Sequence, residues 1–247
     1  VFVVIALFSV AKVHAEIAGS FSTAKKWAES IYSDRRISFY CGCTYSIGKV
    51  VDKASCGYSP RRPFTRSGKV NKRANRIEWE HVLPASLMGQ QLACWGSERR
   101  QYEQCVKSTG RLRSGRDCCL KVNDTYRRAH NDLVGLVPAV GELNADRSNY
   151  RYGLIEGEPR KYGACDFEVQ NRVAEPPEEI RGDISRIQLY LLGAYGPELG
   201  FDFDEPRLEM LRKWDAEDPV SDWERERNRR IRARQGSGNS LVGGCDE

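Results

Sequence analysis

The chain contains three histidines, His14, His81 and His130. Histidine is the side chain whose ordinary pKa suits proton transfer at neutral pH, so a histidine general base must come from this short set. His14 belongs to an apolar leader, which leaves two. His81 stands in the block Arg76-Ile77-Glu78-Trp79-Glu80-His81-Val82-Leu83-Pro84-Ala85. Ile77 and Trp79 alternate with Glu78 and Glu80, the period of a strand with one apolar face. Adjacent strand residues point to opposite faces. Glu80 and His81 therefore hold a common group only where the strand ends or bends, and Pro84 predicts an end within three residues. A carboxylate beside an imidazole, next to a run of cations, is a chemistry-bearing arrangement. The plainer reading is an ordinary Glu-His pair on a strand. His130, in Ala129-His130-Asn131-Asp132, reads as a helix or loop histidine without a catalytic role.

A second polar stretch runs from Leu136 to Asn149 through Pro138-Ala139-Val140-Gly141-Glu142-Leu143-Asn144. Val140 and Leu143 make a short apolar stripe after Pro138, which predicts a helix with Asn144 beside a buried Leu143. The plain alternative is that Asn144 and Asn149 only close that helix.

The charges are segregated. Net charge is +5, from 39 Lys and Arg against 34 acids. Arg61, Arg62, Arg66, Lys69, Lys72, Arg73 and Arg76 form a run with no acid among them. Arg99, Arg100, Lys107, Arg111, Arg113 and Arg116 form a second cluster, and six arginines between Arg225 and Arg234 a third. Such runs neutralise phosphates and predict a nucleic-acid partner bound without sequence preference. A solvated surface is the bland reading of any one run. No recognition-helix or zinc-finger pattern is present to read base edges.

At 247 residues, 40% hydrophobic and 30% charged, with mean hydropathy −0.59, the chain has the composition of one globular domain. Residues 1–15 read as a truncated export signal, too short to span a bilayer, and the domain occupies 16–247 with a basic, Gly/Ser-rich tail. Nine cysteines agree with an oxidising compartment, and nested pairing of Cys94, Cys105, Cys118 and Cys119 is plausible. Helices are predicted over Ser22–Tyr32, capped by Ser22 or Thr23, along the Ile180, Ile184, Ile187, Leu191 stripe, and along Leu208, Leu211, Trp214 with Pro206 in the first turn. Residues 89–130 lack apolar periodicity and read as a long excursion held by disulfides. The fold class is α+β, a single mixed domain, mostly helical with short strands and no membrane-crossing segment.

The Ile77–Ala85 block, Cys41-Gly42-Cys43, Pro138–Asn149 and the late Trp223 with its basic helix resemble the bacterial endonuclease I family, in the right order from about Phe21 to Gly238. The resemblance implies a periplasmic or secreted, sequence-non-specific nuclease acting on DNA and RNA, built on a ββα-metal (His-Me finger) core. It implies Glu80 and Asn144 as ligands of Mg²⁺, with Mn²⁺ able to substitute, His81 as general base, Arg116 as phosphate clamp and Glu78 as a further acid of the catalytic set. A monomer is expected. Two positions depart from the family pattern: Val134-Gly135 stands where relatives have His-Asn, and Arg225 where relatives carry a cysteine. The rival readings are a secreted, disulfide-rich nucleic-acid-binding protein without catalysis, and a zinc hydrolase, for which the H-E-x-x-H pattern is missing.

Overall fold

A computed structural model of the chain describes residues 16–157 and 159–243. The expected export signal and Cys245 lie outside the described residues. Helix α1 covers Phe21–Ile31 and buries Ala24, Ala28 and Ile31. Its cap is Ser20, whose Oγ accepts from the Thr23 amide at 3.1 Å, two residues before the predicted cap. The shift brings Phe21 into the helix, where its ring stacks on His81.

Strand β1, Ile77–His81, ends at the histidine, as Pro84 requires. The chain then makes α2, Ala85–Gly89, and a run of turns. It continues through α3, Gly115–Val122, and α4, Asp124–Asn131, into β2, Leu136–Val140. Two helices thus occupy the end of the segment expected to be an irregular excursion. Their buried positions are Cys118, Cys119, Tyr126, Ala129, His130 and Asn131, residue types that leave little apolar period to read. Their caps are visible in sequence: Ser114 accepts from the Asp117 amide and Asn123 from the Tyr126 amide. The disulfides Cys94–Cys119 and Cys105–Cys118 are nested as anticipated.

β1 and β2 pair antiparallel, with Glu80 opposite Val137 and His81 opposite Leu136. Pro138 lies inside β2 opposite Trp79, and the helix expected after it, α5, starts at Gly141 and ends at Arg147. A two-stranded sheet has only edge strands, which is where proline is tolerated. Gly141 is required at the turn, because a Cβ there would come within 2.9 Å of the Arg73 carbonyl and the Glu78 carboxyl.

Strands β3 (Arg151–Tyr152), β4 (Glu168–Gln170) and β5 (Val173–Glu175) form a small second sheet. Cys41–Cys165 ties the early loops to it, and Cys43–Cys56 closes the turns between. Helices α6 (Arg181–Leu199), α7 (Glu205–Glu217) and α8 (Asp222–Gln235) complete the fold. Ile184, Ile187, Leu191, Leu211 and Trp214 are buried where the stripes place them. Gly135 would press a Cβ to 3.2 Å from Leu191, so the Val134-Gly135 departure is absorbed by close packing on α6.

Two arginines of the run on α8 serve the fold, while Arg225, Arg229 and Arg234 are exposed. Arg227 donates to the carbonyls of Leu133, Val134 and Leu136, and Arg230 pairs with Asp34 and Glu226. Part of the Gly/Ser-rich tail is docked: Asn239 exchanges hydrogen bonds with Asn228 and donates to the Arg186 carbonyl. No helix among the described residues is long and apolar enough to cross a membrane.

Candidate active site

The β1–β2–α5 unit sets two rows of polar side chains against each other. Glu78 and Glu80 are two apart on β1 and share a face; Asn144 and Arg147 are three apart on α5 and share another. Asn144 Nδ2 donates to Glu78 Oε2 at 3.4 Å, and Arg147 Nη1 donates to Glu80 Oε1 at 2.9 Å. Both strand faces are therefore covered, one by apolar packing and one by α5. That is why Glu80 is only 3% exposed although it lies on the polar side of the sequence alternation.

Glu80 Oε1 also accepts from the Tyr40 hydroxyl at 3.0 Å, which in turn bonds to the Tyr152 hydroxyl at 2.6 Å. Burial pushes the Glu80 carboxyl up, against the pull of Arg147 and Tyr40. Arg147 donates further to the His81 and Val82 carbonyls at 2.8 and 2.6 Å, so it locks the strand end from which the histidine projects.

His81 points the other way, toward α1 and α4. Its Nε2 lies 2.8 Å from the His130 carbonyl oxygen. A carbonyl only accepts, so Nε2 carries the proton and Nδ1 keeps a lone pair. Phe21 stacks on the ring at 5.2 Å and the His130 ring sits at 4.4 Å. Burial, with the charges of Arg116 and Arg147, holds His81 well below the usual histidine range, so it is neutral at pH 7. Arg116, on the first turn of α3, is exposed and near enough to lower both His81 and His130.

His130 is not a bystander: its carbonyl orients His81. Its own Nδ1 donates to Asn131 Oδ1 at 3.0 Å, while Nε2 is buried without a partner. Burial lowers its pKa to about 4. Below pH 6.5 the unfolded chain binds a proton there that the folded chain refuses. Stability therefore falls as pH drops from 6.5 toward 4, by about 2–3 kcal/mol at pH 4.5 from this group. Urea unfolding at pH 7.5 and 4.5 checks this: His130→Gln should lose that much less on acidification than the parent. Equal losses would contradict it.

The basic run between Arg61 and Arg76 is partly neutralised from within. Arg61 and Arg62 pair with Asp146 of α5, and Arg73 and Arg76 pair with Glu78. Glu78 is thus held by two guanidinium groups as well as by Asn144. Arg66, Lys69 and Lys72 are exposed, with no ion pair among the described residues. A cavity of about 580 Å³ opens elsewhere, between Tyr40, Val137 and Trp223, and none of Glu80, His81, Arg116 or Asn144 lines it.

Sequence reasoning passed over Arg147, Tyr40 and Phe21. Arg147 had a legible signal: it follows Asn144 by three on the helix, as Glu80 follows Glu78 by two on the strand. Tyr40 had none, because its contact with Glu80 spans 40 residues.

An antiparallel strand pair followed at once by a helix, with a histidine at the strand end and a buried carboxylate beside it, is a ββα arrangement. The chain matches the family model Endonuclease I over residues 21–244 and belongs to that family of nucleases, hydrolases of phosphodiester bonds. It is 39% identical over 231 residues to an extracellular deoxyribonuclease of Aeromonas hydrophila, covering 91% of this chain and 89% of the relative. It is 36% identical over 235 residues to a periplasmic deoxyribonuclease of the same species, covering 92% and 87%. It is 34% identical over 228 residues to Endonuclease-1 of Buchnera aphidicola subsp. Acyrthosiphon pisum (strain APS), covering 90% and 80%.

Proposed function

We propose that the protein is a Mg²⁺-dependent, sequence-non-specific endonuclease of DNA, active in the periplasm or outside the cell, with RNA as a second substrate. The DNA and the compartment rest on the relatives' names, extracellular and periplasmic deoxyribonuclease. The observation that carries the mechanism is the hydrogen bond from His81 Nε2 to the His130 carbonyl, which leaves Nδ1 as a base on a ring that is already neutral.

The donor set suits a hard cation. Asn144 gives its Nδ2 to Glu78, which leaves the amide oxygen as its remaining donor, and the Tyr40 and Arg147 side chains both bond to Glu80 through Oε1. Among the described residues no group of three or more His, Cys, Asp and Glu is placed to hold a metal. Few protein oxygens with water completing the shell is the habit of Mg²⁺, or Mn²⁺ in its place. Glu80 and Asn144 are the residues that would hold it. Bound there, such an ion would supply positive charge for the developing charge of phosphodiester cleavage.

The remaining chemistry belongs to the chain. His81 Nδ1 takes a proton from water as that water attacks phosphorus, and the P–O3′ bond breaks to leave a 5′-phosphate and a 3′ oxygen that takes a proton from solvent water to become the 3′-hydroxyl. Arg116 grips a phosphate oxygen through charge-assisted hydrogen bonds. Glu78 positions Asn144 and gathers Arg73 and Arg76. Arg61, Arg62, Arg66, Lys69 and Lys72 attract the polyanion without reading its sequence. Digestion of plasmid by the oxidised protein tests the proposal. Cleavage is expected with Mg²⁺, abolished by EDTA and restored by excess Mg²⁺. DNA binding without cleavage in any of these conditions would favour a non-catalytic nucleic-acid-binding protein.

A further inference from the structure

The basic segment rises from the core as a hairpin with an unusual face. Phe64 and Val70 pair across it, and directly opposed residues share one face of a ribbon. Both are exposed, at 60% and 59%. The turn between them is ordered by hydrogen bonds from the Thr65 amide to the Lys69 carbonyl, 2.7 Å, and from the Gly68 amide to the Thr65 carbonyl, 3.0 Å. Arg66 stands in that turn and Lys69 opposite Thr65, so an apolar pair is framed by free cations.

The hairpin is anchored in the catalytic helix. Glu142 of α5, itself buried, accepts from the Arg61 and Arg62 amides at 3.1 and 2.8 Å and from the Tyr58 hydroxyl at 2.7 Å. Asp146, one turn further on, pairs with both guanidinium groups. The far end of the segment is tied to β1 through Glu78. Its position is therefore fixed relative to Asn144, which lies between Glu142 and Asp146.

Scattered exposed apolar residues are ordinary. An apolar pair projecting from a rigid ribbon, ringed by Arg and Lys and fastened to the helix of the site, is different. Cations account for phosphate contacts but give a phenyl ring nothing to do. We propose that Phe64 is a base-stacking residue: the 61–70 hairpin lies along the DNA backbone by its cations while the Phe64 ring, supported by Val70, stacks on an unpaired or partly unstacked nucleobase. This deepens the nuclease reading and rests on it for the substrate. Stacking tolerates any base, since every base has a π face, so it adds affinity without adding sequence preference. It also predicts that breathing or single-stranded DNA is preferred over stiff duplex.

The test uses the full chain. In EDTA, binding of a single-stranded DNA oligonucleotide is followed by fluorescence anisotropy, beside an abasic oligonucleotide of equal length and charge. Phe64→Ala should bind the base-bearing strand about ten-fold more weakly than the parent and the abasic strand equally well. Phe64→Trp should restore or exceed parental affinity. With Mg²⁺, Phe64→Ala should raise KM and leave kcat within about two-fold. Unchanged affinity of Phe64→Ala for the base-bearing strand, or equal losses on both strands, overturns the proposal, as does failure of the parent to bind DNA at all. If the parent binds with this pattern but never cleaves, the nuclease reading fails and the stacking site stands. If it cleaves and Phe64→Ala is silent, the stacking site alone is lost.

Discussion

His81→Ala is expected to lower kcat on DNA by about 10²–10⁴-fold, the range general-base catalysis supplies, with affinity for DNA largely kept. The geometry explains why the loss should fall on kcat. The ring is clamped between Phe21 and His130, with Nε2 spent on the His130 carbonyl, so it offers one lone pair and little binding surface. His81→Asn should not rescue the rate, because an amide neither carries a basic nitrogen nor reproduces that hydrogen bond. Single-turnover cleavage with saturating protein separates chemistry from binding. A folded His81→Ala variant cleaving at the parental rate would remove His81 from the mechanism.

Arg147→Ala is expected to destabilise the fold by about 3–5 kcal/mol, the cost of breaking a buried ion pair from one side. Arg147 is 1% exposed and serves Glu80, two backbone carbonyls at the end of β1, and the Tyr152 ring 4.7 Å away. Its loss strands the Glu80 carboxylate in a buried site and frees the strand end. The Glu80 carboxyl, already raised by burial, would lose its principal opposing charge and rise further. The activity of whatever protein remains folded should fall too, most steeply below neutral pH. The double variant Arg147→Met, Glu80→Gln removes both charges and should recover much of the stability without recovering activity. Urea unfolding of the parent, Arg147→Met, Glu80→Gln and the double variant measures the coupling. An Arg147→Ala penalty under about 1 kcal/mol would show that the pair is not buried as described.

What could be read in the sequence followed periodicity and punctuation. The alternation from Ile77 to Glu80 with Pro84 beyond it located β1 and its end, and the Ile184, Ile187, Leu191 stripe located α6. Nested pairing of cysteines 94, 105, 118 and 119 was one arrangement their order allowed, and the structure has it. What escaped depended on tertiary partners. Pro138 argued for a helix start, yet β2 accepts it because β1, its strand neighbour among the described residues, lies on the other side. Helices α3 and α4 bury cysteines, a tyrosine and a histidine, which no hydrophobic count marks as core. The 61–76 run was legible as charge but not as structure: four of its seven cations are matched by Asp146 and Glu78, acids 84 and 2 residues from Arg62 and Arg76 respectively. The residues around His130 give no hint of its contact with His81, because the backbone carbonyl that accepts from His81 Nε2 carries no sequence signal.

The proposed mechanism requires Glu80 of β1 and Asn144 of α5 to serve one cation. Titration of Mn²⁺ into DNA-free protein, read by the loss of the free-ion electron paramagnetic resonance signal, asks this without relying on cleavage. One ion per chain is predicted, bound about ten-fold or more weakly in both Glu80→Gln and Asn144→Ala. Parental Mn²⁺ affinity in a folded Asn144→Ala protein would contradict the account.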